Sequence, residues 1–196
     1  MRVACVLKSG GDFDASHVAR LKTQVERHLP GADFVCLSDV PVPCARIPLI
    51  AGLSGWWSKL ELFRLPSAIY FDLDTSIIAS LADIAAYPHR FTALEHWDRD
   101  GRLCSGFMAW NGDYSYLLDE FTKKDHLKYA RCMGRWGDQG YIQDHLRVQP
   151  EWVNTLFPGC MMSYKKHCRE SIPAGTRVIY FHGKPRPWET QTYAAA

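Results

Sequence analysis

The chain has no long apolar run, no CxxC pair, no internal repeat, no low-complexity tract and little excess of charge, and each absence removes a class of protein. With no run approaching the length of a bilayer span, no transmembrane segment is expected, and the apolar stretch in "MRVACVLKSGG" is too short for a secretory leader. Seven cysteines, an odd number, read as reduced thiols rather than a disulfide framework, so the expected location is cytoplasmic. A formal charge of +2 does not by itself imply nucleic-acid binding, since Lys and Arg are scattered apart from pairs such as Lys123-Lys124 and Lys165-Lys166. A small phosphorylated ligand, needing only a few local cations, stays compatible with that balance.

What is present is an ordinary globular composition: 47% hydrophobic and 22% charged residues over 196 positions, enough for one sizeable domain. "RVACVL" reads as a strand, "DASHVARLKTQVERHL" as an amphipathic helix capped by Asp14, and "PGADFVCLSD" as a turn into a second strand. This β-loop-α-β opening favours a parallel pair in an α/β sheet. A Pro-rich connection leads to a helix at "WWSKLELFRL", then to the strand "AIYF"; "SLADIAAY" reads as a short helix, "RFTALEHW" and "CSGFMAWN" as strands. "DYSYLLDEFTKKDHLKYA" and "DQGYIQDHL" read as helices and "TRVIYFHG" as the last strand, with the terminal "AAA" a frayed end. The expected architecture is one α/β domain.

"IYFDLDTSII" poses the chemical question. On an extended strand, Asp72 and Asp74 project from one face. Two adjacent carboxylates repel unless a cation or a shared proton lies between them, which suggests a hard divalent metal; a polar turn at "DLDTS" accounts for the same letters. The loop after the first strand, the Asp72/Asp74 pair and His182 all fall at carboxyl ends of expected strands, where open α/β sheets bind ligands.

Two families share the short motif. "FDLDT" resembles the nucleophile motif of haloacid-dehalogenase-like phosphatases, which implies Asp72 as a nucleophile. That motif normally lies on the first strand of its core, and "GDQGYIQD" has Ile142 where the distal acidic motif places its second Asp. Across most of its length the chain resembles instead the retaining GT-A glycosyltransferases of family 8, the group of glycogenin and bacterial lipopolysaccharide galactosyltransferases. The resemblance rests on "WWSKLELFRLPSAIYFDLDTSI", "CSGFMAWN", "GDQGYIQDHL" and "HGKPRPW" in that order. Cys104 stands where that family has Asn, and "HGKPRPW" is shorter than its usual spacing from His to "PW".

The resemblance implies a single GT-A-like, Rossmann-related domain with a mixed, mostly parallel sheet flanked by helices. Residues 1–75 would be the nucleotide-binding part, and residues 76–196 the sugar and acceptor part. It implies a nucleotide-sugar donor, expected to be a UDP-sugar, an acceptor that is a glycan, lipid-linked sugar, protein or nucleic acid, and Mn²⁺ or Mg²⁺ on Asp72, Asp74 and His182. Lys184 and Arg186 would neutralise charge on the leaving diphosphate, and Lys59 would bind phosphate or ribose. Lys8, Ser9, Gly10, Asp12 and Phe13 would face the nucleotide, with Leu73, Ser105, Gly106 and Gly183 also on the donor. Asp138 and Gln139 would lie beneath the sugar as the catalytic pair. Trp97, Trp110 and Trp136 are candidates for an acceptor platform. A module that binds the nucleotide sugar without turnover is the alternative outside catalysis.

Overall fold

A computed structural model describes residues 1–131 and 137–190, so Trp136 and the terminal alanines lie outside the described residues. In chain order, β1 (Arg2–Leu7), α1 (Ala15–His28) and β2 (Asp33–Ser38) form the opening unit, and β1 and β2 pair in parallel as expected. Asp14 caps α1 by accepting from the Ser16 backbone N–H at 2.8 Å. β3 (Ala45–Pro48) emerges from the Pro-rich segment as an edge strand, where a missing ladder donor is tolerated. The expected helix before the acidic pair winds as a 3-10 helix, Gly55–Arg64. Residues 57–63 of it are all buried, so its neighbours rather than an amphipathic period dictate the winding.

β4 (Ser67–Phe71) is followed by β5 (Thr75–Ile77), α2 (Ala82–Ala86), β6 (Phe91–Glu95) and β7 (Leu103–Asn111). The helical stretch after β7 divides into α3 (Tyr116–Asp119) and α4 (Lys123–Arg131). The division lies where Thr122 Oγ1 accepts from the Asp125 N–H at 3.3 Å and Asp125 accepts from the Thr122 N–H at 3.0 Å, a reciprocal cap. α5 (Gly137–His145), β8 (Glu151–Trp152), α6 (Val153–Leu156), β9 (Met161–Ser163), α7 (Tyr164–His167) and β10 (Val178–Tyr180) complete the named elements. Among the described residues the main sheet has seven strands in the order β3-β2-β1-β4-β7-β6-β8, antiparallel only at β4/β7 and β7/β6. It is the mixed, mostly parallel sheet expected, and it draws strands from both halves of the chain.

Alternation along β1 divides the core. Val3, Cys5 and Leu7 pack on the α1 side, while Ala4 joins Trp57, Leu60 and Phe63 of the 3-10 helix on the other face. A smaller sheet, β5-β10-β9, sets Tyr180 opposite Thr75, so the C-terminal chain re-enters beside the acidic turn. β7 carries a bulge: Ala93 faces Met108 while the next residue, Leu94, faces Cys104, leaving Ser105, Gly106 and Phe107 without partners on β6.

Candidate active site

The site begins where β4 ends. Tyr70 and Asp72 share a strand face, and the buried Tyr70 hydroxyl donates to Asp72 Oδ1. Burial first, then the Asp72 charge, holds that phenol protonated well above its ordinary value. Lys59, from the 3-10 helix, reaches the same carboxylate at 3.0 Å and Asp138 of α5 at 3.1 Å. Burial disfavours its charge, but Asp138 and Asp72 outweigh that cost and raise the Lys59 pKa above the usual lysine value. The bulged Ser105 completes the cluster, donating to Asp138 Oδ2 at 2.6 Å and accepting from Lys59 at 3.0 Å. Gly106 is a glycine for room: a Cβ there would lie 3.3 Å from the Tyr180 ring and 3.5 Å from Asp72 Oδ2.

Asp74 turns to a different partner, the Arg186 guanidinium on the returning C-terminal chain. Burial and then the Asp72 charge push the Asp74 carboxyl up to about 7, against the pull of Arg186. The other Arg186 nitrogen meets Asp12 at 3.1 Å, and the guanidinium lies 4.8 Å over the Phe13 ring. Trp188 closes the strap against His17, with ring centroids 4.0 Å apart. Opposite, Asp39 shapes the loop after β1: it ion-pairs with Lys8 and accepts from the Ser9 N–H at 2.8 Å and the Ser9 hydroxyl at 2.6 Å. These walls enclose a cleft of about 510 Å³ lined by residues 6–13, by Gly55, Trp56, Ser58 and Lys59, and by Tyr70, Asp72, Leu73, Asp74 and Arg186.

The galactosyltransferase LgtC, solved with donor and acceptor sugar analogs, matches with a TM-score of 0.69 at 13% identity, over 100% of this chain and 91% of that one. The apo-form glycosyltransferase GlyE of Streptococcus pneumoniae TIGR4 matches with a TM-score of 0.64 at 13% identity, over 97% of this chain and 56% of that one. The bifunctional glycosyltransferase WbbM, in apo form, matches with a TM-score of 0.62 at 11% identity, over 95% of this chain and 47% of that one. Neither a protein-family model nor a curated protein sequence matches the chain. The chain has the fold of these glycosyltransferases.

On that glycosyltransferase fold, most of the residues singled out in the sequence meet. Lys8, Ser9, Gly10, Asp12, Phe13, Lys59, Asp72, Leu73, Asp74 and Arg186 line the cleft, and Asp138 and Ser105 join it through Lys59. Gln139 Oε1 accepts from the Ser105 N–H at 3.5 Å. Lys184 extends into solvent, its side chain 83% exposed, 3.7 Å from Glu189. Gly183 stays exposed at φ +72°. His182 faces Trp97, with ring centroids 4.9 Å apart, and its carbonyl accepts from Lys165. Tyr180 packs beside Gly106, its hydroxyl pointing to Met161 Sδ at 3.6 Å. Trp110 is no platform, because it is buried with its indole N–H bonded to Leu65 O at 2.9 Å. Trp97 is half-buried against Tyr180 and His182.

Arg20 is among the participants missed in the sequence, with Tyr70 and Trp56. It stands on the buried side of α1 and donates to Leu73 O at 2.7 Å and Thr75 O at 2.8 Å, holding the acidic turn from behind. Burial lowers its pKa to about 10, while Asp74 favours its charge. Its position on the helix was visible in sequence; its partner loop, 53 residues away, was not. Among the described residues no group of three or more His, Cys, Asp or Glu side chains could hold a metal ion. The chemistry of the acidic pair nevertheless suits one: two hard oxygen donors, one raised to about 7 by burial and then by the neighbouring Asp72 charge. No helix among the described residues is long and apolar enough to cross a membrane.

Proposed function

We propose that this protein is a retaining glycosyltransferase that takes a sugar from a nucleotide-sugar donor, a UDP-sugar, held in the cleft between the β1 loop and the acidic turn. The observation that carries the reading is the cleft itself: on this fold it gathers Asp72, Asp74, Lys59 and Arg186 beside an aromatic, Phe13. Phe13 and Asp12 suit a nucleobase, through stacking and through acceptance from a ring N–H. Arg186 suits the diphosphate, because a planar guanidinium matches paired phosphate oxygens, and charge on the leaving group grows toward the transition state. Asp138 and Gln139, at the start of α5, suit the sugar.

Charge balance supports a divalent ion. The lining sets Lys8, Lys59 and Arg186 against Asp12, Asp72 and Asp74, so a diphosphate would bring an uncompensated excess of negative charge. Asp72 and Asp74 would hold Mn²⁺ or Mg²⁺, with phosphate oxygens filling its shell; the ion would offset charge on the departing diphosphate. As folded, the His182 ring packs against Trp97, and it forms no metal-holding group with that pair. The likeness of fold is to glycosyltransferases, which leaves the phosphatase reading of Asp72 without support.

Calorimetric titration of UDP with and without Mn²⁺, followed by assay of UDP release from UDP-sugars, tests the proposal. Binding that needs the ion, with release from at least one donor, is expected. Binding without release from any donor, whether water or a sugar is offered as acceptor, would reduce the protein to a nucleotide-sugar-binding module. No binding under either condition would remove the donor site.

A further inference from the structure

An exposed apolar side chain standing alone needs no explanation. Trp56 does not stand alone. It is 59% exposed, the one aromatic among the exposed large hydrophobics of the described residues, and it lines the same cleft as Lys59 and Asp72. Its ring is also seated. A Cβ on Gly137 would lie 2.8 Å from Trp56 Nε1 and 3.3 Å from both Cδ1 and Cε2, so the first residue of α5 leaves space that the indole fills. At φ +54°, Gly137 also adopts a backbone conformation that L side chains rarely take. The neighbouring Trp57 is buried, its ring 4.7 Å from Phe121, which anchors the backbone that presents Trp56. An exposed ring held in this way loses little conformational freedom when a ligand lies on it.

We infer that Trp56 is the stacking platform for a pyranose ring of the acceptor, so that the acceptor is a carbohydrate. The inference rests on the transferase reading above and names the second substrate of the same site. A pyranose has a face of C–H groups ringed by hydroxyls. The C–H face suits the electron-rich face of an indole, while the hydroxyls need polar neighbours. Gly137, against which the indole rests, is followed directly by Asp138 and Gln139, the residues proposed to lie at the sugar. A ring on Trp56 therefore borders the point of transfer. The aromatic on the β1 loop, Phe13, lies beneath Arg186 and beside Asp12, a setting that suits the nucleotide. The cleft thus sets Phe13 toward the nucleotide and Trp56 toward the acceptor.

The test is an NMR titration of the indole N–H signals of the intact protein, with the Trp56 signal assigned by its loss in Trp56→Phe. The probes are the methyl α- and β-pyranosides of glucose, galactose and N-acetylglucosamine, added with and without UDP. At least one pyranoside is expected to move the Trp56 signal. Its affinity should fall about fivefold in Trp56→Ala, the loss of one stacking contact, and recover in part in Trp56→Phe, while UDP affinity stays within about twofold of wild type. If UDP binds and none of the pyranosides moves Trp56, the platform is overturned and the donor site stands. If Trp56→Ala weakens UDP about tenfold, the ring serves the nucleotide and the inference fails. A pyranoside that binds at Trp56 in a protein that does not bind UDP would retain the carbohydrate site and remove the donor reading instead. Failure of both ligands to bind would overturn both.

Discussion

Arg186 ion-pairs with Asp74 across 112 residues of sequence. The contact ties the C-terminal strap to the acidic turn and places one cation where it can serve either the fold or a diphosphate. Arg186→Ala should therefore cost about 2 kcal/mol in urea denaturation, because it leaves a mostly buried carboxylate unpaired. Arg186→Lys should recover part of that loss while lacking the planar fork. Unchanged stability in Arg186→Ala would mean that the strap is not held there.

Lys59 is the shared cation of Asp72 and Asp138, and its side chain is only 10% exposed. Lys59→Met removes the charge and keeps the stem, so it should destabilise the protein by about 3 kcal/mol. Adding Asp138→Asn to that variant should return part of the loss, since one uncompensated carboxylate is then removed. A Lys59→Met protein as stable as wild type would show that the cluster contributes no net stability.

The ion-binding proposal separates Asp74 from His182. In calorimetry with UDP and Mn²⁺, Asp74→Ala should abolish the part of binding that depends on the ion. His182→Ala should leave it within about threefold of wild type, because the imidazole lies against Trp97. Loss of binding in His182→Ala would show that the 182–186 segment turns inward when the ion and nucleotide bind.

A pH effect arises away from the cleft. His89 is buried, its ring nitrogens 2.8 Å from Thr92 Oγ1 and 2.7 Å from Ile84 O, and burial lowers its pKa below the ordinary value. The unfolded chain therefore takes up its proton at higher pH than the folded one. The stability associated with neutral His89 is complete above the unfolded value of about 6.5 and is lost as pH falls below it. Stability measured from pH 7 to pH 5 should decline less steeply in His89→Gln than in wild type. Equal slopes would show that His89 does not contribute.

Much of the fold was legible in the chain because local chemistry and tertiary demand agree there. β1, α1 with its Asp14 cap and β2 follow from short apolar runs, helical period and a capping residue. β3, β8 and β9 were not legible: each has four residues or fewer, and each exists because a neighbouring strand offers hydrogen bonds, not because its own residues favour extension. The 3-10 winding of Gly55–Arg64 was hidden for a related reason, since a helix buried on every side carries no amphipathic period.

The candidate site divides along the same line. The sequence by itself determined the chemical inventory: two carboxylates at a strand end, glycines in the β1 loop, cations in the final segment and an acid and an amide, Asp138 and Gln139, opening α5. Only the tertiary structure decided the partners. It gave Lys59 to Asp72 and Asp138, Arg186 to Asp74, Arg20 to the back of the turn, and Tyr180 to the space beside Gly106. Side-chain type and local spacing are properties of a short stretch of chain, whereas a partner is set by which strands pair and in what register. Here the pairing of β10 with β5, which places Tyr180 opposite Thr75, returns the far end of the chain to the acidic turn.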